Sequence, residues 1–324
     1  MKEYRILLYY IYTPIEDTVA YRDEHHRFCI DNRLMGRVIV SAEGLNGTVS
    51  GLAEDCERYM QWLHADERFR AIQFKVEEHD GHAFHKLHVR IKEEIVNSDL
   101  PVDPRKETGI HLEPAEFRSM LQDPDVVLVD MRSNYEHNVG KFRGAITFDM
   151  ENLRELPQHV AEIEHLKESG KKIVTYCTGG IKCEKASAYL LQQGFKDVYQ
   201  LHGGIIRYGL EEGGENFDGE CYVFDGRVTT SVNTVNPQVI STCYVCGTST
   251  SRMVNCANPE CNEHVTICED CGWKMEGCCS EECRTNPKKR PYDGTGYYPK
   301  ITADYSAELG FRNAKGSFGT LRPA

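Results

Sequence analysis

Two sets of cysteines dominate the chemistry available to this chain. Cys177 follows the apolar run Ile173-Val174-Thr175-Tyr176 and opens the loop Cys177-Thr178-Gly179-Gly180-Ile181-Lys182-Cys183, with a helical stretch from Glu184 to Gln193 behind it. A buried strand that hands a cysteine to a glycine-rich turn before a helix puts the thiol at the C-terminal edge of a parallel sheet. Open α/β sheets bind their ligands at that edge. Small residues let the backbone curl, so that N–H groups and the helix N-terminus favour a thiolate. Lys182 adds positive charge. Cys183 has two readings: it resolves an oxidised Cys177 as a disulfide, or it packs beneath the loop. The alternative for the whole string is an ordinary strand–turn–helix that contains a cysteine.

The second set lies near the C-terminus: Cys243-x2-Cys246, Cys256-x4-Cys261, Cys268-x2-Cys271 and Cys278-Cys279-x3-Cys283. Short knuckles in pairs are the spacing that tetrahedral zinc uses. Eight thiolates make two structural sites, with Cys278 or Cys279 left over, and the expected ligands are Cys243, Cys246, Cys256, Cys261, Cys268, Cys271, Cys279 and Cys283. The knuckles combine with their neighbours or, as we slightly favour, the first pairs with the third in a cross-brace. Apolar periodicity is scarce here, so metal binding would supply the folding energy.

The elements that must position these groups fall into three segments of the 324 residues. Residues 1–100 read as β-α-β-β-α-β with one extra strand possible, a ferredoxin-like α+β unit. Its strands are Arg5–Tyr12, Gly36–Val40, Thr48–Ser50, Ala71–Val76 and Leu87–Ile91, and Glu43-Gly44-Leu45-Asn46-Gly47 reads as a turn. Helices are expected over Asp17–Asn32 and Glu54–His64, with Cys29 and Cys56 as packing residues. Residues 101–218 follow a proline-bearing linker and alternate helix with buried strands (Val126–Asp130, Ile173–Tyr176, Val198–Leu201), the pattern of an α/β domain with a parallel sheet. Residues 219–324 form the cysteine-rich region with a flexible, charged tail.

A net charge of −12 argues against nucleic-acid binding by bulk electrostatics and leaves room for a local basic path. One such path is Asp80 to Arg90, where His82, His85, Lys86, His88 and Arg90 surround Phe84. The apolar run Ile6–Tyr12 is too short to span a bilayer. A cytoplasmic monomer without membrane contact is expected.

Val129-Asp130-Met131-Arg132, Gly140-Lys141-Phe142-Arg143-Gly144-Ala145-Ile146, the Cys177 loop and Leu201-His202-Gly203-Gly204-Ile205 resemble the successive landmarks of rhodanese domains. Lys182 stands where those domains often have Arg, and Lys141 where they often have His. Lysine is a point charge without the planar fork of Arg. Phosphatases of related fold carry Cys-x5-Arg, whereas here the sixth residue after Cys177 is Cys183. Phosphatase activity is therefore disfavoured.

Ser41-Ala42-Glu43-Gly44-Leu45-Asn46-Gly47-Thr48, Asp80–Arg90, Asn152-Leu153-Arg154-Glu155-Leu156-Pro157 and Cys177–Lys185 extend the resemblance over nearly the whole chain. They are similar to the oxygen-dependent tRNA uridine hydroxylase family, in which a ferredoxin-like domain precedes a rhodanese domain. The resemblance implies formation of 5-hydroxyuridine at the wobble position, with dioxygen as co-substrate and the tRNA anticodon arm as partner.

No Gly-x-Gly-x-x-Gly fingerprint for a flavin or nicotinamide is present, so a cofactor-free route is the expectation. Cys177 would add to C6 of the uracil and make C5 reactive toward oxygen, while Arg132 or Arg143 orients a phosphate or polarises a carbonyl. His82, His85, Lys86, Arg90 and Arg143 would contact RNA. The alternative is a sulfurtransferase that works through a Cys177 persulfide.

Overall fold

A computed structural model describes residues 2–296 and 298. The N-terminal unit runs β1 (Tyr4–Tyr12), α1 (Thr18–Asp31), β2 (Met35–Ser41), β3 (Gly44–Leu52), α2 (Ala53–Ala65), β4 (Lys75–His79) and β5 (Leu87–Ile91). The strand order β4-β1-β3-β2 is the ferredoxin-like arrangement, and β5 adds a strand parallel to β2. Period-two alternation divides β1 between two faces. Leu7 and Tyr9 pack with Tyr21 and Cys29 of α1 and with Cys56 and Tyr59 of α2. Leu8, Tyr10 and Tyr12 face away from those helices, toward the second domain.

The expected turn at Asn46-Gly47 is corrected. The chain reverses at Ala42-Glu43, and Asn46 and Gly47 lie inside β3, opposite Tyr10 and Tyr9. A Cβ on Gly47 would sit 2.3 Å from the Tyr9 hydroxyl, so glycine serves packing here and not a turn.

The second domain comprises β6 (Ile110–Leu112), α3 (Pro114–Met120), β7 (Val126–Asp130), α4 (Asn134–His137), β8 (Gly140–Phe142), β9 (Ile146–Thr147), α5 (Leu156–His159), β10 (Lys172–Tyr176), α6 (Ile181–Gln192), β11 (Val198–Leu201) and α7 (Gly204–Glu212). Its sheet, β6-β11-β10-β7-β9, is parallel at every pairing. Cys183, Ala186 and Leu190 of α6 cover one face, and Phe117 of α3 with Ile205 and Tyr208 of α7 cover the other. Burial on both faces explains the unbroken apolar runs of β7 and β10.

The third segment begins inside a ladder, because β12 (Phe217–Gly219) pairs antiparallel with β8. It continues through β13 (Cys221–Tyr222), β14 (Thr229–Thr230), the β15–β16 ribbon (Met253–Asn255, His264–Thr266), α8 (Glu269–Lys274) and α9 (Glu281–Thr285). Of the expected tail, residues 288–296 and 298 are described, whereas 297 and 299–324 lie outside the described residues. Among the described residues no helix is long and apolar enough to cross a membrane.

Candidate active site and nucleic-acid cleft

β10 delivers Cys177 to the sheet edge, and the loop proper is only Cys177–Gly180. Helix α6 starts at Ile181, three residues earlier than the apolar periodicity suggests, so Lys182 and Cys183 belong to its first turn. No Ser, Thr or Asp marks that start. Gly180 takes the N-cap position with φ +98°, which only glycine adopts cheaply. Its N–H donates to the Cys177 sulfur at 3.2 Å. Burial pushes the Cys177 thiol up, but the Cys183 thiol, the Lys182 ammonium and the N–H groups of Cys183 and Lys182 outweigh it and hold the pKa at about 7. Burial and the neighbouring Cys177 push Cys183 the other way. The pair therefore keeps its proton on Cys183 and its negative charge on Cys177.

Lys182 does not stand alone against the sulfur. Its ammonium is ion-paired with the fully buried Glu136, which also accepts from Thr178 Oγ1 at 3.3 Å. Burial lowers the Lys182 pKa and Glu136 more than restores it. Glu136 was not among the residues expected at the site. Its only signal in the sequence is the capping box Ser133-x-x-Glu136, which opens α4. Behind the loop, Ile205 N–H donates to the Cys177 carbonyl at 3.0 Å. A Cβ on Gly204 would lie 2.5 Å from that carbonyl oxygen, which accounts for the second glycine of Leu201–Ile205.

The rest of the signature joins domains. Glu184 accepts from Tyr10 of β1 (2.8 Å), His111 (2.8 Å) and Thr108 (3.0 Å). Lys185, 2% exposed, bridges Glu43 and Glu94. Glu43 comes from the Ser41–Thr48 motif, and Asn46 of that motif holds the Ile95 carbonyl. Both motifs thus dock the N-terminal sheet on α6. Leu8 and Tyr10 lie over Gly179 and Gly180, and Cys177 is 1% exposed.

A cleft of about 520 Å³ runs between all three segments. Arg37 and Arg90, with Lys86 and Lys92, line it from the N-terminal domain, Tyr135 from the second domain, and Phe224, His264 and Arg290 from the third. Among the described residues its lining has one carboxylate, Asp225, which is already paired with Arg227. The expected contacts His85, Lys86 and Arg90 line this cleft. Burial, then the charges of Arg90, Lys86 and Arg37, lower the His88 pKa to about 4. Phe224 links the cleft to the thiolate helix, since the Lys182 ammonium lies 5.7 Å from its ring centroid.

Three expectations are corrected. His82 does not line the cleft: its Nδ1 is within 3.0 Å of the Ser50 carbonyl, and its ring packs edge-on against Tyr4. Arg143 is also outside the cleft, exposed and ion-paired to Asp218 at 2.8 Å. Arg132 is fully buried, engaging Asp130 through both Nε and Nη2 and the Gly140 carbonyl at 2.7 Å. It braces the loop after β7 and has no donor directed at an incoming phosphate.

The late cysteines gather into two groups, Cys243, Cys246, Cys268 and Cys271, and Cys256, Cys261, Cys279 and Cys283. Within each group all sulfurs lie within 4.8 Å of one another. The first knuckle meets the third and the second meets the fourth, the cross-braced arrangement; Cys278 is left over. Arg290 donates to the carbonyls of Cys256 (2.6 Å) and Ala257 (3.0 Å), so the second cluster sets one wall of the cleft.

Residues 4–95 match the UPF0176 acylphosphatase-like domain family, 113–209 the rhodanese-like domain and 218–284 the rhodanese C-terminal region. A tRNA uridine(34) hydroxylase of Cytophaga hutchinsonii is 63% identical over 95% of this chain and 99% of its own length. Proteins of the same name from Bacillus pumilus and Staphylococcus aureus are 49% and 50% identical, over 74% and 73% of this chain and 75% and 76% of their own lengths. With a ferredoxin-like domain docked on a rhodanese domain whose loop cysteine is poised as a thiolate, the chain belongs to the tRNA uridine(34) hydroxylase family.

Proposed function

We propose that this protein hydroxylates C5 of the wobble uridine in tRNA, with Cys177 as nucleophile and dioxygen as co-substrate. One observation carries the reading: a basic, aromatic cleft is joined through Phe224 and Lys182 to the helix that stabilises the Cys177 thiolate. Cations for phosphates and rings for stacking are what single-stranded RNA requires. A local cleft also reconciles a polyanionic substrate with a net charge of −12. The wobble base sits in an unpaired loop, so presenting it costs less than extracting a base from a duplex. Because Cys177 is 1% exposed, the base reaches it only when part of the cover yields.

The thiolate adds to C6 of the uracil and leaves a carbanion at C5, which combines with dioxygen to give a hydroperoxide after protonation. Cys183 takes the terminal oxygen as a sulfenic acid, and C5 keeps a hydroxyl. Loss of the C5 proton expels Cys177 and restores the aromatic ring as 5-hydroxyuridine. Cys177 then attacks Cys183, forming a disulfide and releasing water. Dioxygen accepts four electrons, two from the C–H bond and two from the thiol pair. A cellular thiol reduces the disulfide for the next cycle. The need for reduced cysteines and tRNA places the protein in the cytoplasm.

We further infer that both late clusters hold structural zinc. Tetrahedral Zn–S bonds of about 2.3 Å separate sulfurs by about 3.8 Å, and Cys246–Cys268 and Cys279–Cys283 stand at 3.7 Å. Four cysteines at each site leave no position for a reacting water.

Nucleoside mass spectrometry of tRNA from cells lacking the protein tests the function. Loss of 5-hydroxyuridine and its derivatives is expected. An unchanged nucleoside profile with reduced thiosulfate:cyanide sulfurtransferase activity would overturn it in favour of the persulfide enzyme. Charge reversal tests the surface. Arg90→Glu should weaken tRNA binding and reduce the slope of log affinity against log salt by about 1, whereas Arg143→Glu should leave both nearly unchanged. Equal effects of the two variants would move the RNA off the cleft.

A further inference from the structure

We propose that Lys75, on the N-terminal domain, is a positioning residue of the active site, facing the Cys177 loop and balancing the charge of the thiolate. The reaction centre is then shared by two domains. The inference rests on Cys177 being the reacting thiolate, and it names a group that the loop sequence does not contain.

Lys75 pairs with Leu8 across β4 and β1, and directly opposed residues of an antiparallel pair share a face. Leu8 meets the Cys177 loop on that face: a Cβ on Gly179 would lie 3.0 Å from Leu8 Cδ2. Lys75 is therefore aimed at the same loop, and it is 5% exposed. Its ammonium lies 4.8 Å from the centroid of the Tyr10 ring, and the Tyr10 hydroxyl donates to Glu184 of α6.

Two neighbouring lysines, the half-buried Lys182 and the buried Lys185, have carboxylate partners. Lys182 has Glu136, and Lys185 has Glu43 and Glu94. Among the described residues no carboxylate or carbonyl accepts a hydrogen bond from Lys75. A buried ammonium without a hydrogen-bonded carboxylate is costly unless another charge balances it. Burial lowers its pKa to about 8, and the charges that act on it are Cys177, Arg207 and Glu184, in that order. Arg207 is engaged by Glu113 and Glu211, and Glu184 by Tyr10, His111 and Thr108. Cys177 is left as the anion whose charge Lys75 can balance. It does so from the N-terminal domain, whereas Lys182 belongs to α6, so cations of two domains act on the sulfur.

Lys75→Met keeps the length of the stem and removes the charge. The Cys177 thiolate is read in the full-length, zinc-loaded protein as the ultraviolet absorbance difference between each protein and its Cys177→Ser counterpart. This measurement needs no tRNA, so its failure is distinct from failure of the hydroxylase assignment. The thiolate midpoint should rise by about one pH unit, with the melting temperature unchanged or raised. At pH 7 the thiolate fraction, and hydroxylation with it, should fall about fivefold and recover as pH increases. Lys75→Gln, neutral but polar, should give the same displacement, which guards against a packing defect peculiar to methionine. Midpoints that superimpose on the parent in both variants would overturn the proposal and leave Lys75 as a space-filling residue.

Discussion

Cys177→Ser is expected to lower hydroxylation by roughly a thousandfold or more while folding and tRNA affinity stay near the parent values. The serine hydroxyl is close to the thiol in size and accepts the same hydrogen bond from Gly180 N–H, which reaches the sulfur at 3.2 Å. What it lacks is ionisation. The arrangement that brings the Cys177 pKa to about 7 cannot bring an alcohol near neutrality, so the nucleophile disappears with the architecture intact. Cys183→Ser separates the second role. The C6 adduct still forms, but dioxygen lacks its second pair of electrons and turnover stalls. Single-turnover assays on unmodified tRNA, with melting curves and filter binding, check both variants. A serine variant at position 177 that retained a tenth of the activity would refute the nucleophile assignment.

Much of this architecture is legible in the sequence because it is written locally. Unbroken apolar runs in β1, β7 and β10 identify buried strands. The cysteine spacings single out the residues that gather into two groups of four, and the strand–Cys–Gly-Gly–helix string singles out Cys177.

What is hidden depends on partners far apart in the chain. Lys185 reaches Glu94 across 91 positions, and Tyr10 reaches Glu184 across 174. No local pattern says that the end of the signature is an inter-domain clamp. Arg132 reads as a site cation until Asp130, two residues away, is seen to claim it in the interior. His82 sits in a basic string whose other members reach the cleft, yet the backbone turns its ring onto Ser50. Lys75 carries no signal at all, because an isolated lysine in a strand reads as surface. The Asn46-Gly47 turn misleads in the opposite way. A strong local preference yields to the fit of the Tyr9 ring against a residue without a side chain.

Purified protein should contain close to two zinc ions per chain, and their removal should weaken tRNA binding by at least about tenfold without disturbing the Cys177 thiolate. The packing around the clusters sets this expectation. One comprises Cys243, Val254, Ile267, Cys271 and Met275, and the other Cys256, Ala257, Cys278 and Cys283. Four of these nine residues are themselves ligands, so without metal the apolar remainder is too small to order the region. Structural zinc contributes apparent binding free energies of about 10–16 kcal/mol, which here become folding free energy. The loss should be transmitted to RNA through Arg290, whose guanidinium is fixed by the carbonyls of Cys256 and Ala257 and by Asn262. His264, stacked on Tyr135 at 4.6 Å, ties the same wall to the second domain. Cys177 depends on β10, α6 and the N-terminal sheet, none of which contains a zinc ligand. Chelation followed by hydrogen exchange should therefore deprotect residues 243–283 and leave β10 and α6 protected. A Cys256→Ser variant should reproduce the RNA-binding defect with one zinc lost. Metal-free protein that stays protected across 243–283 and binds tRNA as before would show that these cysteines are packing residues and that the wall of the cleft stands without zinc.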